Sequence, residues 1–140
     1  MSGRVGTSSA SIRVSIQFPP AEAYEDTDTL VLSVGAHFID VRFKAVSSDH
    51  TGTERELDWA FMGQKTQLDE QTFAWSHDLD SRGFEGIDQG YCTPLPHGNE
   101  LEQGMMVNPT DPGGPPVPYK EVWRSLPIEP MPEIGSFIAR

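Results

Sequence analysis

Leu57-Asp58-Trp59-Ala60-Phe61 and Phe73-Ala74-Trp75-Ser76-His77 are the stretches whose reading decides the fold. In an extended chain, side chains two apart share a face. Leu57, Trp59 and Phe61 therefore make one aromatic wall, with Asp58 and Met62 behind it. Phe73, Trp75 and His77 make another, with Thr72, Ser76 and Asp78 behind. Such walls belong to a sheet wrapped around an apolar interior.

The same period of two recurs on both sides. Ile12, Val14, Ile16 and Phe18 alternate with Arg13, Ser15 and Gln17, until Pro19-Pro20 ends the run. Thr29 to Val34 is a short β-rich run closed by Gly35, and Gly35-Ala36-His37 suits a tight hairpin. Ile39, Val41, Phe43 and Ala45 then alternate with Asp40, Arg42 and Lys44, and the apolar set is the expected core face. The aromatic strands are expected near residues 56–63 and 71–78. Gln89 to Thr93 reads as a short strand, and Leu101, Gln103, Met105 and Val107 suggest another on one face. Tyr119 to Leu126 fits either a strand or a short helix, and Gly135 to Arg140 resembles a strand cut short. Eight or nine short strands, with helical periodicity nearly absent, predict an all-β antiparallel barrel or sandwich. A closed barrel is favoured because it has no exposed edges. Residues 1–10 are expected to be a flexible tail and 11–140 a single domain.

Composition narrows the partners. Acidic residues outnumber basic ones 21 to 10, a formal charge of −11. That excludes the basic surface nucleic acids require and disfavours anionic membranes. Cys92 is the only cysteine, so no internal disulfide forms and the cytoplasm is the expected compartment. No apolar run approaches the roughly 20 residues of a membrane helix. No phosphate-binding loop, dinucleotide fingerprint, zinc spacing or Gly-x-Ser-x-Gly elbow occurs, so no cofactor or metal is expected.

Candidate site residues follow from the strand faces. Trp59, Phe61, Phe73, Trp75, Tyr91 and Trp123 are the candidate ligand-binding wall, or simply core. His77, Tyr91, Asp40, Arg42 and Glu121 are the candidate polar groups for acid–base work. His77 is either a proton carrier at a barrel mouth or a satisfied structural histidine. Arg42 beside Asp40 would hold an anionic ligand if that face lined a cavity; facing water, the pair is an ordinary surface ion pair. His77, Asp78 and Asp80 do not make a metal site, since neighbours in a strand point apart.

Several stretches carry a family resemblance. They are Thr27–Leu32, His37–Arg42, Leu57–Phe61 with Gly63, Trp75-Ser76-His77 with Asp80-Ser81, Gly104–Pro109, and Tyr119–Arg124. In this order they resemble a fungal family of lipocalin-like proteins, whose yeast member is named for interacting with a casein-kinase-type Hrr kinase. The resemblance implies an antiparallel lipocalin-like barrel, with no established reaction, cofactor or catalytic residue. Family members continue past the segment resembling Gly135–Arg140, so an open barrel, or one completed by a second copy in a homodimer, is expected.

The expected function is binding, of an apolar small molecule inside the barrel or of a protein outside it. The alternative is a cofactor-independent isomerase or cyclase acting inside the aromatic cavity. A ligand barrel should contain a cavity of at least ~300 Å³. A scaffold should instead show a filled interior and an exposed apolar patch.

Overall fold

Val34 pairs with His37 across a two-residue loop, and Gly35 takes a φ of +60° there, a conformation that costs glycine nothing. That loop joins β2 (Thr27–Val34) to β3 (His37–Lys44). The computed structural model describes residues 7–46, 52 and 54–129. Around the hairpin stand β1 (Ser9–Gln17), β4 (Leu57–Gln67), β5 (Thr72–Ser76), β6 (Leu79–Asp80), β7 (Ile87–Pro94), β8 (Asn99–Val107) and β9 (Pro116–Leu126). Every pairing is antiparallel, in the order β3-β2-β1-β9-β8-β7-β5-β4-β6, and β3 pairs with β4 to close the ring. The result is a closed eight-stranded barrel, with the two-residue β6 continuing along β4 beyond β5.

Closure corrects the expectation of an open barrel. Residues 9–126 complete the ring, so no unfinished edge calls for a second copy. The expected strand at Gly135–Arg140 lies outside the described residues. β1 begins at Ser9, inside the stretch expected to be a tail. Tyr119–Leu126 is strand, not helix.

The aromatic walls face inward as their spacing predicts: Phe61, Phe73, Trp75, His77 and Trp123 are all buried. Phe38, Phe61, Phe73, Trp75 and Cys92 form one packed cluster, with Trp59 against it. On β3 and β8 the structure overturns the expected faces, and on β2, whose faces the sequence left unassigned, polar residues also turn inward. On β3, Asp40 is fully buried while Ile39 is 38 % exposed, so the polar set points in and the apolar set out. On β2, Thr27, Thr29, Val31 and Ser33 face inward, and Leu30, Leu32 and Val34 face solvent. On β8, Glu102 is buried and Met105 and Val107 are exposed. β1 changes sides midway. Its register against β9 shifts between Arg13 and Ser15, a β-bulge at Val14. Ser11 and Arg13 are buried before the bulge, Ile16 and Phe18 after it.

The physical reason is that the interior pairs its own charges. A buried polar group is tolerated only when its hydrogen bonds are made inside. Here guanidinium, carboxylate and hydroxyl groups meet across the barrel axis, so polarity ceases to predict the outer face.

Candidate functional site

Asp40 and Arg42 are two apart on β3 and therefore share the inner face. The guanidinium forks onto the carboxylate, with Nε donating to Oδ1 at 2.9 Å and Nη2 to Oδ2 at 3.0 Å. Burial opposes the Arg42 charge, but the Asp40 carboxylate more than offsets it and raises the guanidinium pKa. Arg42 also lies over the rings of Trp59 and Phe61, at 5.0 and 5.5 Å from their centroids.

The bulge at Val14 aims Arg13 into the same interior. Its Nη1 donates to Glu121 Oε2 at 3.0 Å, and its Nε and Nη2 donate to the two Glu25 oxygens at 2.7 and 2.9 Å. The segment before β2 thus brings a carboxylate back against β1, and Thr27 adds its hydroxyl to Glu25 at 2.9 Å.

Glu102 stands directly opposite Glu121 in the β8–β9 ladder. Both are 5 % exposed, but Arg13 engages only Glu121. The Tyr119 hydroxyl donates to Glu102 Oε2 at 2.7 Å. Burial first, and the Glu121 charge second, push the Glu102 carboxyl well above the usual range. Burial and the facing carboxylates raise the Tyr119 phenol as well. Burial and the facing carboxylate thus favour the protonated form of Glu102. Two facing glycines make room for it, since Gly90 pairs with Gly104. A Cβ at Gly90 would stand 2.9 Å from Glu102 Cγ, and one at Gly104 would stand 2.9 Å from Tyr119 Cε1.

A cavity of about 40 Å³ lies among these groups. Asp40, Arg42, Trp75, Trp123, Glu102, Glu121 and Tyr119 line it, together with Asp88, Gln89, Met105 and Met106. Three buried side-chain atoms find no hydrogen-bond partner among the described residues: Trp75 Nε1, Trp123 Nε1 and Glu102 Oε1. All three residues line this one cavity. Two are N–H donors, and Glu102 in its neutral form supplies an O–H.

Behind Phe61, His77 is held at both nitrogens. Nδ1 is 2.7 Å from Asp80 Oδ2, and Nε2 is 2.7 Å from Asp88 Oδ2. Its ring stacks on Phe61 at 4.3 Å and meets the edge of Phe84 at 4.6 Å. Trp59 Nε1 donates to Asp80 Oδ1 at 2.9 Å. Asp78 points outward, taking the Ser76 hydroxyl.

The structure thus brings together Asp40, Arg42, Glu121, Trp59, Phe61, Trp75 and Trp123 around one space. Phe73 is interior but lies beneath Lys65, whose Nζ is 4.7 Å from its ring centroid. Burial pushes the Lys65 amine down to about 8. Tyr91 does not join the wall. It faces outward, 46 % exposed, and donates to Gln71 Oε1. Its parity follows from Gly90 and Cys92, which turn inward on either side. Glu102, Arg13 and Asp88 escaped the sequence reading. The available signal was Gly90 and Gly104 within strands, since a glycine there often marks a close approach by another group.

A family model described as Protein HRI1 matches residues 9–136. Among solved structures, the crystal structure of an uncharacterized Saccharomyces cerevisiae protein, YLR301w, superposes with a TM-score of 0.63 at 21 % identity. The match covers 85 % of this chain and 54 % of that one, so the chain spans about half the length of its yeast neighbour. At that identity the likeness speaks for the fold alone. No curated protein matches the sequence. No helix among the described residues is long and apolar enough to cross a membrane.

Proposed function

The chain belongs to the HRI1 family, and we propose that its barrel binds a small neutral molecule by a hydrogen-bond-accepting group, such as a carbonyl oxygen. One observation carries this reading: the two unpartnered indole N–H groups and the unpartnered Glu102 oxygen belong to residues around the same cavity. An unmet buried donor costs about 1–3 kcal/mol. Two or three meeting in one place make a strong site for an acceptor. The cavity, at about 40 Å³, falls well short of the expected 300 Å³ pocket. It holds a few waters, at roughly 10–15 Å³ each, or the polar head of a larger molecule. The apolar ligand expected from the aromatic walls gives way to one with a polar head, because Asp40, Arg42, Glu102 and Glu121 share those walls.

Nuclear magnetic resonance of the indole N–H groups tests this directly, because the chain has three tryptophans. Titration with pent-4-en-2-one, a small ketone, should shift the Trp75 and Trp123 signals. The Trp59 signal, already bonded to Asp80, should stay nearly still. If neither of the first two moves with this ketone or with small amides, the reading is wrong.

A second reading draws on the outer surface. Leu32 pairs with Ile39 and Ile39 with Met62 across β2, β3 and β4, and all three are exposed. A continuous apolar face of this kind suits a second copy of the chain. Sedimentation equilibrium checks it, and a monomer persisting at about 100 μM would remove it.

A further inference from the structure

We propose that the cavity is a proton-transfer site for an enolisable carbonyl compound, in which Glu102 receives the carbonyl oxygen and Asp88 takes the α-hydrogen. The inference rests on the ligand reading above and adds a reaction to it.

At the acid end the two guanidiniums are engaged by other carboxylates. Arg13 is spent on Glu25 and Glu121, and Arg42 on Asp40. Glu102 Oε2 receives the Tyr119 hydroxyl, Oε1 meets no donor among the described residues, and the Glu121 carboxylate is its other side-chain hydrogen-bond neighbour. Burial beside a second carboxylate favours the protonated form, which can donate a hydrogen bond. The Trp75 and Trp123 N–H groups add two more donors for the charge that grows on oxygen as a proton leaves carbon.

The base end follows from the same accounting. Of the cavity carboxylates, Asp40 is clamped by Arg42 and Glu121 is bound by Arg13. Asp88 meets no guanidinium among the described residues. Its side chain is 43 % exposed, with Oδ2 held by His77 Nε2. His77 is in turn held by Asp80 and stacked on Phe61. Asp88 is two residues from Gly90 on the same inner face, roughly 7 Å along the strand. Glu102 Cγ and the Tyr119 hydroxyl come to 2.9 and 3.2 Å of the place where a Gly90 Cβ would stand. Trp75 Cζ3 stands 3.2 Å from the same point, and Glu102 and Asp88 both line the one cavity.

The step balances without a cofactor. The α C–H bond breaks, and its proton passes to the Asp88 carboxylate. The bonding pair becomes a C=C bond, and the carbonyl π pair moves onto oxygen, which takes the Glu102 proton. Asp88, 43 % exposed, trades this proton for a solvent hydrogen and delivers that to the α-carbon, giving exchange, or passes a proton to the γ-carbon of a β,γ-unsaturated ketone, giving the conjugated isomer. Glu102 recovers its proton as the carbonyl re-forms.

The full chain in deuterium oxide with pent-4-en-2-one reports both outcomes by proton nuclear magnetic resonance. Expected are loss of the α-proton signal and growth of conjugated pent-3-en-2-one, both faster than in buffer with an equal concentration of acetate. Asp88→Asn, at a partly exposed position, should slow both on the order of 100-fold or more. It should leave the ketone-induced shifts of Trp75 and Trp123 in place. Glu102→Gln should also slow the reaction. Exchange no faster than acetate, or unchanged in Asp88→Asn, overturns the proposal. If the indole signals move without exchange, proton transfer falls and ligand binding stands. If they do not move, both fall.

Discussion

Replacing Glu102 by Gln tests the electrostatics on which the site depends. The folded state favours the protonated form of this carboxyl, through burial and then the charge of Glu121. In the unfolded chain a glutamate ionises near pH 4.3. A group whose pKa rises on folding binds more protons in the native state across the window between the two values. Stability from this residue is therefore fully present below about pH 4.3 and is lost as pH rises through that window. One proton of difference gives a slope of about 1.4 kcal/mol per pH unit. Other carboxylates tilt the curve the other way. Glu25 and Asp80 are both held below the usual range: burial works against the shift, and the hydrogen bonds from Arg13 and from Trp59 prevail. The difference between wild type and Glu102→Gln cancels those contributions. Gln keeps the shape and cannot ionise, so the difference isolates Glu102. Urea unfolding of both proteins at pH 5, 6 and 7 measures it. Relative to the variant, wild type should lose stability as pH rises above about 4.3, by up to about 1.4 kcal/mol per pH unit, until the folded-state pKa is passed. Parallel pH profiles would refute the raised pKa of Glu102, and with it the donor role given to its free oxygen.

Two further substitutions probe the construction of the site. Gly104→Ala places a Cβ 2.7 Å from the Gln89 carbonyl oxygen and 2.9 Å from Tyr119 Cε1. It should cost about 1–3 kcal/mol in a denaturant titration and weaken the Tyr119–Glu102 bond, whereas unchanged stability would mean the glycine pair is not what seats Tyr119. Deleting Val14 removes the extra residue of the β1 bulge. Either Arg13 or the Ile16–Phe18 pair must then leave the interior, so the deletion should lower the thermal midpoint severely, and a midpoint within a few degrees of wild type would show that β1 does not need its change of face.

The architecture was legible where large rings alternate with small or polar neighbours. On β4, β5 and β9 nothing else of comparable size competes for the core, so Trp59, Trp75 and Trp123 fall on the inner side their spacing predicts. The same rule failed on β3. Ile39, Val41 and Phe43 outscore Asp40 and Arg42 as core residues one at a time, but the aspartate and arginine bury as a pair. A pair is a property of two residues in register, and a periodicity count weighs each position alone. Val14 illustrates a second limit. Nothing in Ile12-Arg13-Val14-Ser15-Ile16 marks one residue as surplus, because the bulge exists only relative to β9. Glu102 was hidden by its neighbours, as Leu101 and Gln103 suggested a face that β8 turns away from the axis.

The cost of this interior is itself informative. A single-residue slip of β3 would carry Ile39, Val41 and Phe43 inside and send Asp40 and Arg42 to water. Apolar replacements for a buried ion pair are often neutral or stabilising by 1–4 kcal/mol. Stability alone therefore supplies no reason to seat Asp40 and Arg42 inward while Leu32 and Ile39 meet solvent. The register that does so is enforced locally, by the two-residue loop at Gly35 and by Phe38, which is buried on the same face as Asp40. Departures from local preference concentrate where a protein needs particular groups held at particular places. Here the departures on β3 and β8 deliver Arg42 and Glu102 to one small cavity, beside two indoles whose N–H groups are left open, and that on β1 sets Arg13 against Glu121 in its wall. A filled scaffold would leave the Trp75 and Trp123 donors no such cost to recover. A site that accepts a ligand recovers it at the moment of binding.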